Sequence, residues 1–464
     1  MEMGRIGKKV LSWTLCLMMA VGMLPGMTRK AKATEEVVEI RSYQDLLAFA
    51  ARVNAGETSL NAIIKADEID VSTSNPQGPG YDATLAWTPI GTSTSPYTGT
   101  FEGNNKKITG LTIDSENNYV GLFGRVGTGG TVRNVVLEKG EIKGKNYVGG
   151  VVGYNTGTVT NCNNTGAVEG SGGYVGGVVG ESFGVITNCN NTGAVIGSGG
   201  HVGGVVGDNY GTVENCYNTS TVTGSGDNVG GVVGDNYGTV ENCYNTSTVT
   251  GRDNVGGVVG FNPNSTVENC YNTGAVTGRD DVGGVVGYIP DGTVENCYNT
   301  GAVTGRDDVG GVVGFNPNGT VENCYNTGTV TGRNDVGGVV GFNPNGTVEN
   351  CYKTSTVTGR DNVGGVVGRC FEGGAVTNCY NTGKVEGNSE VGGVVGNNEG
   401  TVSNCYNTGK VEGNYHHVGG VVGNNEGTVS NCYNTGDVSG SGAVGGVVGY
   451  IPDGTVENCY TIPS

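Results

Sequence analysis

The feature that most constrains this chain is a cysteine that returns at a fixed interval. Cys162, Cys189, Cys216, Cys243, Cys270, Cys297, Cys324, Cys351, Cys379, Cys405, Cys432 and Cys459 follow one another at 27 residues, with one interval of 28 and then one of 26. The text around each also recurs, as in GTVENCYNTSTVTGSGDNVGGVVG from Gly211 to Gly234. A period in this range marks a solenoid, in which each repeat is one coil that cannot bury its apolar face alone. The expected fold is all-β: a parallel β-solenoid (β-helix) with about three short strands per coil, right-handed by the crossover rule.

The 91 glycines among 464 residues would point to disorder in an aperiodic chain. Here they fall at fixed repeat positions, so they read as corners and close backbone approaches. Within a coil, Val213, Cys216, Asn218, Ser220 and Val222 are expected to face inward. Tyr217, Thr219, Thr221 and Thr223 then face out. The three-residue gap from Val213 to Cys216 requires a turn or bulge near Glu214 and Asn215. Ile108, Leu111 and Ile113 are aligned with Val132, Val135 and Leu137, which fill the same inward columns. Where the corner at Phe261-Asn262-Pro263-Asn264 gains a residue, the preceding corner at Gly251-Arg252-Asp253 loses one, so the period is kept by compensation between corners.

Ahead of the repeats, Arg5, Lys8 and Lys9 precede an apolar run from Val10 to Met27 and a small-x-small site at Ala31-Lys32-Ala33. Residues 1–33 therefore read as a secretory signal peptide, which places the mature chain outside the cytoplasm, secreted or held at the cell surface, with no membrane span expected once it is cleaved. Residues 34–100 form an N-terminal capping region. In it Ser42 and Asp45 open a helix over about 42–55 that covers the end of the solenoid, and residues 60–100 read as irregular. The solenoid runs over 101–464, regular from about 147. The formal charge of −18 argues against nucleic acid and anionic membrane partners.

Several stretches resemble the GLUG-motif family of bacterial secreted and cell-surface repeat proteins. They are Trp87-Thr88-Pro89-Ile90-Gly91, the degenerate coil Phe101 to Ile113, the Val120-Gly121-Leu122-Phe123-Gly124 motif, and twelve Val-Gly-Gly-Val-Val-Gly segments from 148–153 to 444–449. The resemblance covers about residues 36–460. It implies a surface-exposed repeat protein of a kind sometimes joined to peptidase or adhesin domains. No His-Glu-x-x-His motif accompanies the repeats, whose only histidines are His201, His416 and His417.

In-register stacking sets equivalent residues ~4.8 Å apart and turns each repeat position into a column. The cysteine column reads as a core ladder of free thiols, because parallel side chains keep Cβ atoms near ~4.8 Å, wider than the usual ~3.5–4.5 Å of a disulfide. Cys370 falls off this column, in what reads as a corner loop, and is either an ordinary loop cysteine or the thiol best placed to react or to pair with another molecule. The asparagine before each cysteine (Asn215, Asn242, Asn269) reads as an amide ladder at a corner. Tyr217, Tyr244, Tyr271, Tyr298, Tyr325, Tyr352, Tyr380, Tyr406 and Tyr433, continued by Tyr460, form an outward strip that either only stacks on itself or binds sugar faces or a partner protein. Glu214, Glu241, Glu268, Glu295, Glu322 and Glu349 make an exposed acidic row.

No catalytic, cofactor or metal residues are assigned, and no cofactor is expected. The expected function is non-enzymatic: an adhesin-like binding and display scaffold for glycans or cell-surface partners, capable of end-to-end self-association. A mechanical spacer, or the stalk of a larger surface protein, is the alternative. A carbohydrate-active β-helix enzyme ranks lower, because it needs carboxylates clustered at one unique cleft and near-identical coils do not build one.

Overall fold

The computed structural model describes residues 36–72 and 87–462; the signal segment 1–33 lies outside the described residues. From Val37 onward the chain is one parallel β-solenoid. A representative coil contains Val206–Asn209, Thr212–Glu214, Tyr217–Asn218, Val222–Gly224 and Val229–Gly230. These short strands feed four stacked sheets rather than a three-sided coil. The extra face arises because Gly230 and Gly231 divide the expected third strand, sending Val229–Gly230 to one sheet and Val233–Asn236 to another. A Cβ at Gly230 would lie 1.8 Å from the carbonyl oxygen of Val233, so only glycine allows that bend.

The inward columns are as the sequence requires except at Ser220, which sits at a corner and is only half-buried. Val213, Cys216, Asn218 and Val222 are fully buried, Tyr217 is half-buried, and Thr219, Thr221 and Thr223 are exposed. The turn between Val213 and Cys216 is made by Asn215, whose φ of 54° is left-handed, and by its equivalents Asn188, Asn242 and Asn269. Asparagine tolerates this region better than other residues with a Cβ. The asparagine before each cysteine is therefore a corner former, and the amide ladder expected there is found elsewhere. Asn215 itself is exposed and donates to Glu214 Oε1 at 3.1 Å.

The amide ladder runs inside, one column over. Asn218 Nδ2 donates to Asn245 Oδ1 at 2.9 Å, Asn245 to Asn272 at 2.8 Å, and Asn272 to Asn299 at 2.9 Å. Each amide also closes the next corner, as when Asn272 binds both the carbonyl and the N–H of Gly274. A second buried ladder, not foreseen from the sequence, follows the Val-Val-Gly strands, with Asn209 donating to Asn236 and Asn236 to Asn262. Buried polar groups must be paired or cost stability, and these columns let a coil turn without stranding its backbone.

The cysteine column is a ladder of free thiols. Cys216 N–H points to Cys243 Sγ at 3.4 Å, and Cys243 Sγ lies 3.1 Å from the carbonyl of Glu241. Cys370 is not a loop thiol. It is fully buried in the strand Val367–Cys370, between Asn343 and Asn398 in the second amide column, and burial pushes its thiol up to about 12.

Corner compensation is visible in the register. Tyr217 pairs with Tyr244, a step of 27, whereas Val229 pairs with Val255 and Val233 with Val259, steps of 26; Thr239 to Thr266 restores 27. The early coils align differently from the sequence reading. Phe101 pairs with Val132, Ile108 with Leu137 and Ile113 with Ile142, because these coils are longer.

Stacking also begins ahead of residue 101. Val37–Ile40 pairs with Asn61–Ile64, and Ala62 pairs with Phe101, in the same sheet as every later Thr-Val-Glu strand. The helix Tyr43–Asn54 is capped by Ser42 Oγ, which accepts from Asp45 N–H at 3.2 Å. Asp45 answers by accepting from Arg41 N–H. The helix buries Leu46, Phe49, Ala50 and Val53, and Phe49 meets Tyr97 and Phe101 with ring centroids 5.8 and 5.7 Å away.

Candidate functional site

Two surfaces carry side chains with chemistry. The first is the tyrosine strip. Its rings stack face to face from Tyr217 to Tyr433. Tyr271 and Tyr298, for example, have centroids 4.9 Å apart and planes inclined by 4°. Tyr460 continues the stack at 5.5 Å. The expected self-stacking and a partial exposure therefore coexist: the ring faces are spent on neighbours, and the tyrosines are half-buried beside the exposed threonine column that includes Thr219, Thr246 and Thr273. Burial, reinforced by the neighbouring phenols, raises the pKa of Tyr271 and Tyr325, so the hydroxyls stay neutral and can both donate and accept.

The second surface is a ribbon where the coils cease to be alike. One of its columns is a corner held at left-handed φ: Tyr119, Tyr147, Tyr174, His201, Asn228, Asn254, Asp281, Asp308, Asp335, Asn362, Glu390 and His417. The facing column belongs to the Val-Val-Gly strands and reads Tyr154, Glu181, Asp208, Asp235, Phe261, Tyr288, Phe315, Phe342 and Arg369 in register. The ribbon is aromatic at its first coils, where Arg125 lies over the rings of Tyr119 and Tyr154. A cleft of about 590 Å³ opens there between Trp87–Ser93 and Ile113–Val120.

The ribbon's acidic stretch was not singled out from sequence. Glu181, Asp208 and Asp235 stack in successive coils, and the Asp208 and Asp235 side chains are 2% and 1% exposed. His201 lies over them, its Nδ1 2.7 Å from Asp235 Oδ2 and 3.9 Å from Asp208 Oδ2. Asp208 Oδ1 and Asp235 Oδ1 complete no hydrogen bond. Two carboxylates about 4.8 Å apart repel by roughly 3–4 kcal/mol at an effective dielectric near 20. Burial, with the charge of Asp235 added, pushes Asp208 up to about 8. Burial likewise raises Asp235 and Glu181, although the His201 contact opposes it. Burial works against the imidazolium, yet the contacts to Asp235 and Asp208 outweigh it and raise His201. The signal in the sequence was an acid at one repeat position in three consecutive coils, visible only once the columns are aligned.

A family model for the GLUG motif matches nine segments between residues 144 and 439, together just over half of the chain. The chain belongs to the GLUG-motif family. Among relatives of this GLUG-repeat protein, a segment of the halomucin of Haloquadratum walsbyi is 34% identical over 137 residues, 29% of this chain and 1% of that protein. A protein of Evansella cellulosilytica provisionally named Gly-rich membrane protein is 37% identical over 91 residues, 19% of this chain and 10% of that one. The chain thus spans a small part of either relative. A crystal structure from Bacteroides ovatus, provisionally named an immunoglobulin A1 protease, has a TM-score of 0.26 and 20% identity over 68% of this chain and 74% of that one, too low to inform fold or activity. Among the described residues of the GLUG-repeat protein, no helix is long and apolar enough to cross a membrane.

Proposed function

We propose that this GLUG-repeat protein is a non-enzymatic display scaffold outside the cell that binds extended glycans, or the glycosylated surface of a partner, along its tyrosine face. The observation that carries this reading is the continuous stack from Tyr217 to Tyr433, half-buried and flanked by exposed threonines. A polymer with its own repeat can lie along such a face and contact several coils at once, so weak contacts multiply. Neutral phenols offer hydroxyl hydrogen bonds and ring edges, a combination suited to polyols. The names of the two relatives, a halomucin and a membrane protein, support a place outside the cell.

The test replaces Tyr271, Tyr298, Tyr325 and Tyr352 together with Ser and screens the chain on a glycan array. Loss of array binding with the β-sheet circular dichroism signal kept supports the reading. Unchanged binding by the folded variant removes the strip from consideration.

A mechanical spacer is the second reading, favoured by near-identical corners such as Asn262-Pro263-Asn264 and Asn316-Pro317-Asn318. It predicts no binding to any array member by either chain.

A further inference from the structure

We propose that His201, Asp208 and Asp235 form a single binding site for a divalent transition-metal ion. One ligand atom from each residue lies within 4.8 Å of the other two, and the two carboxylates are closed off from solvent while the imidazole forms a partly exposed lid. Among the described residues, His201 is the one basic group in ion-pair contact with either aspartate. One histidine faces two buried aspartates, with Glu181 buried in the adjoining coil, so three acidic side chains gather around a single basic group where solvent does not reach. The buried oxygens Asp208 Oδ1 and Asp235 Oδ1 complete no hydrogen bond, although the Asn209 N–H and the Asn228 side chain lie near the two carboxyl groups, and an unpartnered buried oxygen is the second observation that points to a cation here.

The donor set narrows the class of cation. An imidazole nitrogen beside carboxylate oxygens suits Zn²⁺, Mn²⁺, Fe²⁺ or Co²⁺, whereas Ca²⁺ and Mg²⁺ take oxygen ligands alone. Ligand bonds of about 2.0–2.1 Å at tetrahedral angles put donor atoms about 3.3 Å apart. The separations of 2.7 and 3.9 Å bracket that spacing, so small side-chain shifts convert the ion pair into a chelate. The register permits one such site in these two columns, because the following coil presents Asn254 and Phe261, while on the preceding side the acid Glu181 has Tyr174 and not a histidine at its corner.

The test uses Co²⁺, whose spectrum separates nitrogen and oxygen ligands from thiolates. The folded chain should take up one Co²⁺ with weak visible bands, show no thiolate charge-transfer band, and release the ion to Zn²⁺. His201→Asn places at the left-handed corner the residue that Asn228 and Asn254 already supply there, so the fold should stand and Co²⁺ uptake should be lost. Asp235→Asn should do the same. His416→Asn, at an exposed histidine, should leave uptake unchanged. The proposal is overturned if the folded chain takes up no Co²⁺, if His201→Asn binds as well as the parent, if thiolate bands show that the cysteines hold the metal, or if Ca²⁺ binds in preference.

Discussion

Lys353 Nζ donates to the carbonyl oxygen of Gly328, one coil back, at 3.0 Å, from the slot that Asn326 and Asn381 fill in the coils on either side. The side chain is fully buried, and its other partners are Ser355 Oγ and the carbonyl of Thr356. With no carboxylate beside it, burial lowers its pKa from 10.5 to about 7. The sign follows from proton counting. Between about 7 and 10.5 the unfolded chain holds the proton that the folded chain has released, so stability rises with pH across that window, by about 1.4 kcal/mol per unit at most. Below it both states are protonated and this group contributes no slope. Lys353→Asn should therefore stabilise the chain most near pH 7 and below, with the gain shrinking toward pH 10, as read from paired urea melts.

Asn272→Ala removes two inter-coil amide bonds, to Asn245 and Asn299, and the two bonds that close the corner at Gly274. A loss of about 2–4 kcal/mol is expected from stranding these buried groups. Hydrogen exchange at the Gly274 amide should accelerate well before that of amides several coils away, since each coil is held mainly by its neighbours.

At Asn269 the backbone matters more than the side chain, with φ at 53° and the residue exposed. Asn269→Gly should leave thermal stability nearly unchanged. Asn269→Val should cost about 1–2 kcal/mol or more, because a β-branched residue is poorly accommodated in the left-handed region. Equal melting temperatures for the two variants would show that the corner does not depend on this conformation.

Native-state alkylation followed by peptide mapping should spare Cys189 through Cys432 and Cys370 alike, which are fully buried, and should reach Cys459 first, because it is only partly covered. Denaturant should expose them all. Fast labelling of Cys370 in the folded chain would contradict its place in the amide column.

Much of this architecture was legible because period and burial are written in the same columns. Val213, Cys216 and Val222 inward, Tyr217 outward and the compensated corner at Phe261 all follow from repetition alone. The fourth face was hidden, since glycine pairs carry no inside-outside alternation. Asn215 and Asn218 look equally polar in sequence, and only backbone conformation separates a corner former from a buried ladder. Cys370 misled because Arg369, Phe371 and Glu372 look like a loop, whereas the register puts it in line with Asn343 and Asn398. The alignment of Ile108 with Val132 misses by two inward columns, because the first coils are longer than 27 residues and Ile108 stacks on Leu137 in the Asn218 column. The His201 cluster draws its residues from three coils and has no local motif.

The amide-to-amide bonds of the inner ladder all point toward the later coil: Asn164 donates to Asn191, Asn191 to Asn218 and so on to Asn326, and beyond the break at Lys353 the run resumes with Asn381 donating to Asn407 and Asn407 to Asn434. The column is therefore polar along its axis, like a row of aligned dipoles with the positive end leading. The slot before Asn164 is filled by the apolar Leu137, and the slot after Asn434 by Thr461, whose hydroxyl donates to the Asn434 carbonyl, so the polar row is closed at its two ends by different chemistry. Growth of such a protein by duplicating whole repeats keeps this directionality without further adjustment, and an inverted insertion could not.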